Sequence, residues 1–298
     1  MTADGEARGR MAALHVVDAA AATVPEATVV ASPLATGARA DRRVDLALAR
    51  AVWQRNRDVF ARLWSWLLIP NVVDVCLSML ALGLGLGAAM TGFGGDGYAA
   101  WIAPGLVVTS ALFSAGFECS YGTYYRMDKQ RTFDAMIATP VQIEDVVLGE
   151  LFYGAVRGTA SASIIAVIFG AFGLFDSWWA LLLPAICFIS AFMMSTLAVT
   201  AASVSPMLET LGYWVSFGIF PMYWLSGTFY RAEDLGPILA TAQLLSPAYH
   251  CVNLARAAAG TEGATFTLSS LGDLAYILAI SAACTWSAIT LMRRRLFR

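Results

Sequence analysis

Along this chain, long apolar runs alternate with short polar ones. Six runs reach the length of a bilayer crossing: residues 66–89, 101–125, 146–171, 178–204, 211–229 and 271–292. About 20 residues rising ~1.5 Å each cover a hydrocarbon core of about 30 Å. Backbone amides find no water at that depth, so segments this apolar are expected as helices. The pattern predicts an all-α polytopic membrane protein with six transmembrane helices. In residues 44–64, Val52, Trp53, Val59, Phe60, Leu63 and Trp64 form one apolar side, while Arg50, Arg55, Arg57 and Arg62 can reach anionic headgroups. That suits an N-terminal interfacial amphipathic helix lying on the inner leaflet; a plain extension of the first span is the other reading.

Two connections carry patterns of their own. Within residues 126–145, a short amphipathic piece places Phe133, Met136 and Ile137 at i, i+3 and i+4, and Pro140 stops it. Residues 230–270 are long for a hairpin and hold a helix signature, with Ser246 at the cap, Pro247 first and Gly260 just past the end. Leu244, Leu245, Tyr249, Val252 and Leu254 are too apolar for a free loop, so an outer re-entrant helical segment is expected before the last span.

Composition agrees: 58% of residues are hydrophobic and 13% charged, with mean hydropathy +0.65. Soluble chains carry about twice that charge fraction. The placement of the charges sets the expected orientation. Nine basic residues precede Ser65, three (Arg126, Lys129, Arg131) lie between the second and third spans, and four (Arg293, Arg294, Arg295, Arg298) end the chain, out of nineteen Lys and Arg. With six spans all of these fall on one side, so both termini are expected in the cytoplasm and the protein in the inner (plasma) membrane. Residues 1–43 lack a signal-peptide core and are rich in Ala, Thr and Pro, which predicts a disordered cytoplasmic tail ahead of a transmembrane domain over residues 44–298.

Catalytic chemistry is not evident. The five cysteines are scattered, with no CxxC pair, and imply neither a metal nor a disulfide framework. The two histidines, His15 and His250, belong to no HExxH, and no GxSxG occurs. Residues 92–97 match GxGxxG as letters, but they follow an apolar helix rather than a strand. No GxxxxGK[ST] is present, so this chain is expected to bind no cofactor and no nucleic acid. Gly83 with Gly87, and Gly154 with Gly158, form GxxxG pairs suited either to packing within the chain or to dimerisation.

Charges inside the spans are expensive and face a cavity or each other. Counting ~1.5 Å per residue from the inner edge, Asp74, Glu118 and Arg157 lie about 12, 10 and 14 Å deep. Arg157 is therefore expected to pair with Glu118, with Asp74, or with both, either as a brace or as a polar entry for a headgroup. Glu150 is shallower and is expected near the inner surface. The outer end of the fifth run is dense in aromatics: Phe217, Phe220, Tyr223, Trp224, Phe229 and Tyr230. They read as an interfacial belt or as an exit gate, with Pro221 favouring a kink.

The runs Phe117-Glu118-Cys119-Ser120-Tyr121-Gly122, then Gln130-Arg131-Thr132-Phe133-Asp134-Ala135-Met136-Ile137-Ala138-Thr139-Pro140, then Asp145-Val146-Val147-Leu148-Gly149-Glu150 resemble the nodulation protein J group of permeases, in the ABC-2 transporter superfamily. The stretch from Phe220 to Phe229 is similar to that group's fifth span, and Leu245-Ser246-Pro247 with Asn253-Leu254-Ala255-Arg256 to its outer re-entrant region. The resemblance covers about residue 44 to the end; the long tail departs from the group's shorter beginning. It implies a homodimer of this chain working with two copies of a separate ABC ATPase, which would bind the ATP and Mg. Residues 130–140 would be the coupling helix. Gln130, Arg131, Thr132 and Asp134 would contact the ATPase, and Phe133, Met136 and Ile137 would fill its groove. The implied activity is outward movement of a lipo-oligosaccharide or a similar amphiphilic glycoconjugate, with no catalytic residue on this chain. The alternatives are a drug or other lipid as cargo, an intramembrane enzyme, and an ion-coupled secondary transporter. The enzyme lacks a motif, and the secondary transporter leaves the inner-loop helix without a role and lacks an internal repeat.

Overall fold

The computed structural model describes residues 46–87, 97–231 and 236–297. The expected tail, residues 1–43, and most of the GxGxxG stretch lie outside the described residues. Among those described, the architecture is helical without strands. Helix α1, Leu46–Ser78, runs on through wide π turns over Met79–Leu86. Helix α2, Gly97–Phe117, continues through further wide turns at Glu118–Gly122 and Tyr125–Lys129. Short α3, Thr132–Ile137, leads to α4, Ile143–Ala171. A 3₁₀ turn at Trp178–Leu182 opens α5, Leu183–Val204. Then comes a broken helix, α6, made of Leu211–Trp214, a π turn Val215–Ile219 and Phe220–Trp224. Helices α7, Pro237–Leu245, α8, Pro247–Ala259, and α9, Leu268–Leu296, complete the chain.

Five of these helices are long and apolar enough to cross a membrane. They contain the expected runs at 66–89 (as far as it is described), 101–125, 146–171, 178–204 and 271–292, usually with extra turns. The run at 211–229 differs. It is helical only to Trp224, and a π turn interrupts it. The cause is local: Pro221 has no amide to donate to the carbonyl four residues back, so the turn before it widens. The indole of Trp214 fills the space left by the missing side chain of Gly218.

Residues 46–64 also depart from expectation. They are helical, but they continue without a break into the first span. A helix lying flat would have to bend before turning across the bilayer; the extension reading matches the unbroken α1. Its first turns pack on α4, where a Cβ at Gly149 would fall 2.7 Å from Val52.

Helix α2 is the centre of the bundle. Its most apolar stretch is 83% buried, against 22% in α1 and 17% in α9. Trp66, Leu77 and Leu84 on α1, and Leu268, Leu271 and Trp286 on α9, stay exposed. Apolar surface of that extent is covered by lipid or by another chain. Several hydroxyls inside the spans bond to carbonyls of their own helix, as Ser120 does to Gly116 at 2.6 Å and Ser195 to Ala191 at 2.8 Å, so these need no water.

Both GxxxG pairs are used within the chain. Gly83 and Gly87 lie against Ala99 and Tyr98 of α2, and Gly154 against Cys119 and Ser195. A Cβ at Gly158 would fall 2.7 Å from the Ala111 carbonyl oxygen and 3.0 Å from Ala191 Cβ. Gly158→Val should therefore push α4 off α2 and α5 and lower stability by about 1–3 kcal/mol. A thermal melt of the detergent-solubilised variant checks this; an unchanged melt would mean the three helices do not meet there.

Helix α8 has the boundaries its signature predicts, from Pro247 to Ala259, with Gly260 left-handed at φ 74°. Ser246 does not cap it; its hydroxyl is directed to the Met222 carbonyl at 3.4 Å. Ser246 alone separates α7 from α8, and Ala255 and Ala258 are fully buried. The segment thus folds back onto the bundle beside the start of α2.

Candidate functional site

Three features organise the molecule: a knot of buried charges near the end of α2, a cleft along α2, and α3 at the same end as the knot.

The knot gathers Glu118, Arg126, Glu150 and Arg157. Arg157 pairs with Glu118, as its depth predicts. The fork is Arg126, which hydropathy alone places in the connection between the second and third spans. Its Nη1 donates to Glu118 Oε1 at 2.7 Å, its Nη2 to Glu150 Oε2 at 2.5 Å and its Nε to the same oxygen at 3.1 Å. Glu150 does not reach solvent; it is fully buried and also accepts from Asn56 Nδ2 at 2.8 Å and Thr123 Oγ1 at 3.1 Å. The expected Asp74 is absent from the knot and has no ion pair among the described residues. Two guanidinium groups and two carboxylates leave the knot neutral, which makes burial tolerable. The wide turns at the end of α2 place Arg126 over Glu118, and Gly122 leaves room: a Cβ there would fall 2.9 Å from Glu118 Cδ and 3.3 Å from Arg126 Nη1. The signal was present in the spacing of Glu118, Gly122 and Arg126, four residues apart on one helix face.

Asp74 instead lines a cleft of about 350 Å³ between α1, α2 and α6. Asn71, Asp74 and Ser78 come from α1, Thr109, Ser110, Phe113 and Ser114 from α2, and Phe220 and Tyr223 from α6. Asn71 is held by a hydrogen bond to Ser161 of α4. Of the expected aromatic group, Phe220, Tyr223, Trp224 and Phe229 come together around Phe113, whereas Phe217 is exposed and stacks on Tyr213. Tyr223 meets Phe113 edge-on at 4.8 Å between ring centroids, and Phe229 at 5.2 Å. Trp224 lies 5.4 Å from Tyr223 and 5.7 Å from Phe229, and Phe113 lies 6.2 Å from Phe220. Pro221 lies within the last turns of α6. The cleft thus joins one expected charge to two expected gate residues. Phe113, Phe117 and the α2 hydroxyls were missed because their run reads as uniformly apolar. Walls of rings and aliphatic carbons with hydroxyls, an amide and one carboxylate suit a ligand that is mostly apolar with a few polar groups. Among the described residues no group of side chains could hold a metal ion.

Helix α3 is six residues long and follows Arg131, whose backbone is left-handed at φ 48°. Arg131, Asp134, Ala135, Ala138 and Thr139 are exposed, and Thr132, Met136 and Ile137 are half-buried. Phe133 is a correction: it is fully buried against Tyr124, Met127, Val146 and Val147, so it anchors α3 to its own chain and is not free to enter a partner's groove. Gln130 closes the last wide turn of α2, its amide donating to the Tyr125 carbonyl at 2.9 Å.

A bundle with five helices of membrane-spanning length, a cleft among them and a small exposed helix at one end is the build of a membrane permease. The family model described as ABC-2 type transporter matches residues 47–259, and the chain belongs to that family. Within it the chain groups with the nodulation protein J permeases. It is 30% identical over 248 residues to nodulation protein J of Neorhizobium galegae, covering 83% of this chain and 93% of that one. It is 29% identical over 250 residues to nodulation protein J of Rhizobium leguminosarum bv. trifolii, covering 83% and 94%. The inner membrane transport permease YadH of Escherichia coli strain K12 is 21% identical over 206 residues, 68% of this chain and 79% of that one.

Proposed function

We propose that this chain is the membrane subunit of an ATP-driven exporter that moves an amphiphilic glycoconjugate outward across the inner membrane. Two copies form the conduit, and two copies of a separate ATPase, carrying ATP and Mg, dock on the exposed side of α3. Both termini face the cytoplasm, and α6 with its following turns serves as a sixth, interrupted crossing. The observation that supports this most is the combination of a polar-lined apolar cleft with α3, which Phe133 fixes rigidly to the bundle. Movement imposed on α3 is thereby passed to α2 and α4, and so to the cleft wall. Sugar hydroxyls would meet Asn71, Asp74 and the α2 hydroxyls, an acyl chain would lie along Phe113, Phe117 and Phe220, and Tyr223, Trp224 and Phe229 would close the far end.

The test is co-expression with the genes that flank this one, capture of a P-loop ATPase that co-purifies, and reconstitution of the complex in proteoliposomes with a fluorescent acylated oligosaccharide. ATP-dependent movement is expected. Uphill movement driven by an ion gradient with no ATPase present would overturn the reading. Within the cleft, Tyr223→Ala and Asp74→Asn should each reduce export about tenfold, the scale of one lost charge-assisted hydrogen bond or ring contact, while leaving the basal ATPase rate in place. Export at the wild-type rate in both variants would remove the cleft from the path.

A further inference from the structure

At the opposite end of the bundle from α3, a second cavity of about 340 Å³ lies between the start of α2, the turn after α6, and helices α7 and α8. Its polar groups are incompletely paired. Gln243 on α7 is fully buried, and neither its amide oxygen nor its amide nitrogen has a hydrogen-bond partner. Arg256 on α8 stacks on Trp101 at 3.9 Å and donates Nη2 to the Gly227 carbonyl at 2.7 Å, yet its buried Nε is unpartnered. Tyr230, Tyr249, Asn253, Arg231 and Glu262 complete the lining. Glu262 is engaged by Arg231, and Arg256 has no ion-pair partner among the described residues.

Buried polar atoms are almost always paired, and leaving one unmade is costly. Three such atoms around one cavity define what would satisfy them. The Gln243 amide offers one acceptor and two donors, which adjacent hydroxyls match because each hydroxyl both gives and takes. Arg231 pairs with the Glu262 carboxylate of the same lining, so the Arg256 guanidinium is the net charge of the cavity, and its Nε–H calls for an anionic oxygen. Tyr249 adds a ring wall suited to the C–H face of a polyol.

We propose that this cavity binds a polyhydroxylated anion, with hydroxyls on Gln243 and Asn253 and the negative group on Arg256. A sugar acid and the glycerol phosphate head of a lipid share that chemistry. The proposal stands apart from the export reading, because the site is assayed on the full chain without nucleotide or ATPase. Calorimetric titrations in detergent would use glucuronate and glycerol phosphate, with glucose as the uncharged control and acetate as the control without hydroxyls. Nanodiscs would compare retention of phosphatidylglycerol with that of phosphatidylcholine. Binding of glucuronate without phosphatidylglycerol retention identifies a sugar acid; selective retention of phosphatidylglycerol identifies a headgroup. In either case Gln243→Leu should weaken binding at least about tenfold while melting at or above the wild-type temperature, since it removes an unpaired amide. Asn253→Leu serves as the second variant should Gln243→Leu fail to fold. No binding of any probe, equal binding of glucose or acetate, or undiminished binding in a folded variant would overturn the proposal.

Discussion

Replacing Arg126 with Met should abolish most of the folded yield, the largest effect expected from any single substitution in this chain. Glu150 is fully buried and receives two of its hydrogen bonds from Arg126, and Glu118 receives one. Without Arg126 the knot holds two carboxylates and one guanidinium. Removing one partner of a buried pair costs about 3–5 kcal/mol, because the remaining charge is left uncompensated. That is a large part of the roughly 5–15 kcal/mol that holds a typical domain together. Arg157→Leu should do less damage, since Glu118 would keep its bond to Arg126. The sharper variant is the double replacement Arg126→Met with Glu150→Leu. It removes one charge of each sign and leaves the Glu118–Arg157 pair intact, so the interior stays neutral. Folded yield, read by size-exclusion of a fluorescent fusion, should return much of the way toward wild type. A double variant no better than the single one would mean that the knot is held together by something other than charge balance. Transport by a recovered double variant then separates a brace, which would let export proceed, from a polar entry, which would not.

The depth count found the Glu118–Arg157 pair because helix rise is regular and the two residues sit well inside their spans. The same count did not reach Arg126, which lies where α2 leaves regular geometry and which brings Glu150 of α4 into the knot. Two wide turns at Glu118–Gly122 and Tyr125–Lys129 carry α2 past the expected end of its span and turn Arg126 back into the bundle. Hydropathy reports where a run stops being apolar, not where its helix stops. For the same reason residues 46–64, polar on one side, read as a separate element although the helix continues through them. Signals tied to one residue's chemistry fared better: Pro247 and Gly260 bound α8 as expected, and Pro221 marks the interruption of α6. Phe133 shows the limit of a periodic pattern. Spacing placed Phe133, Met136 and Ile137 on one side of α3, which is correct, but it could not tell whether that side faces this chain or a partner. Burial settles the point for Phe133. In the cleft, Asp74 was legible as an anomaly and Tyr223 as part of an aromatic cluster, whereas their meeting in one wall depends on how α1 and α6 pack on α2.

Arg131 offers a test in which stability and transport should move in opposite directions. It is exposed, makes no ion pair among the described residues, and holds a left-handed backbone at φ 48° immediately before α3. For a residue with a Cβ that conformation costs about 1–2 kcal/mol, whereas glycine adopts it freely. Arg131→Gly should therefore leave the fold unharmed or raise its stability by up to about 1 kcal/mol, the relief being partly offset by the greater freedom of the unfolded glycine. If the guanidinium contacts the ATPase, the same substitution removes a charge-assisted hydrogen bond worth about 1.5–3 kcal/mol at that interface. ATPase association, read by co-purification or by the concentration needed for half-maximal ATP-driven export, should then weaken by about 10- to 100-fold. Asp134→Arg, one turn along on the same exposed side, should weaken association in the same way while costing the fold only about 0.3–1 kcal/mol through the start of α3. A strained arginine whose side chain makes no ion pair among the described residues points to a role for that side chain beyond this chain. Full ATPase affinity in both variants would show that α3 docks through other residues. Lost affinity together with a lower melting temperature in Arg131→Gly would show that Arg131 is needed for the fold, and the case for a docking role would fall.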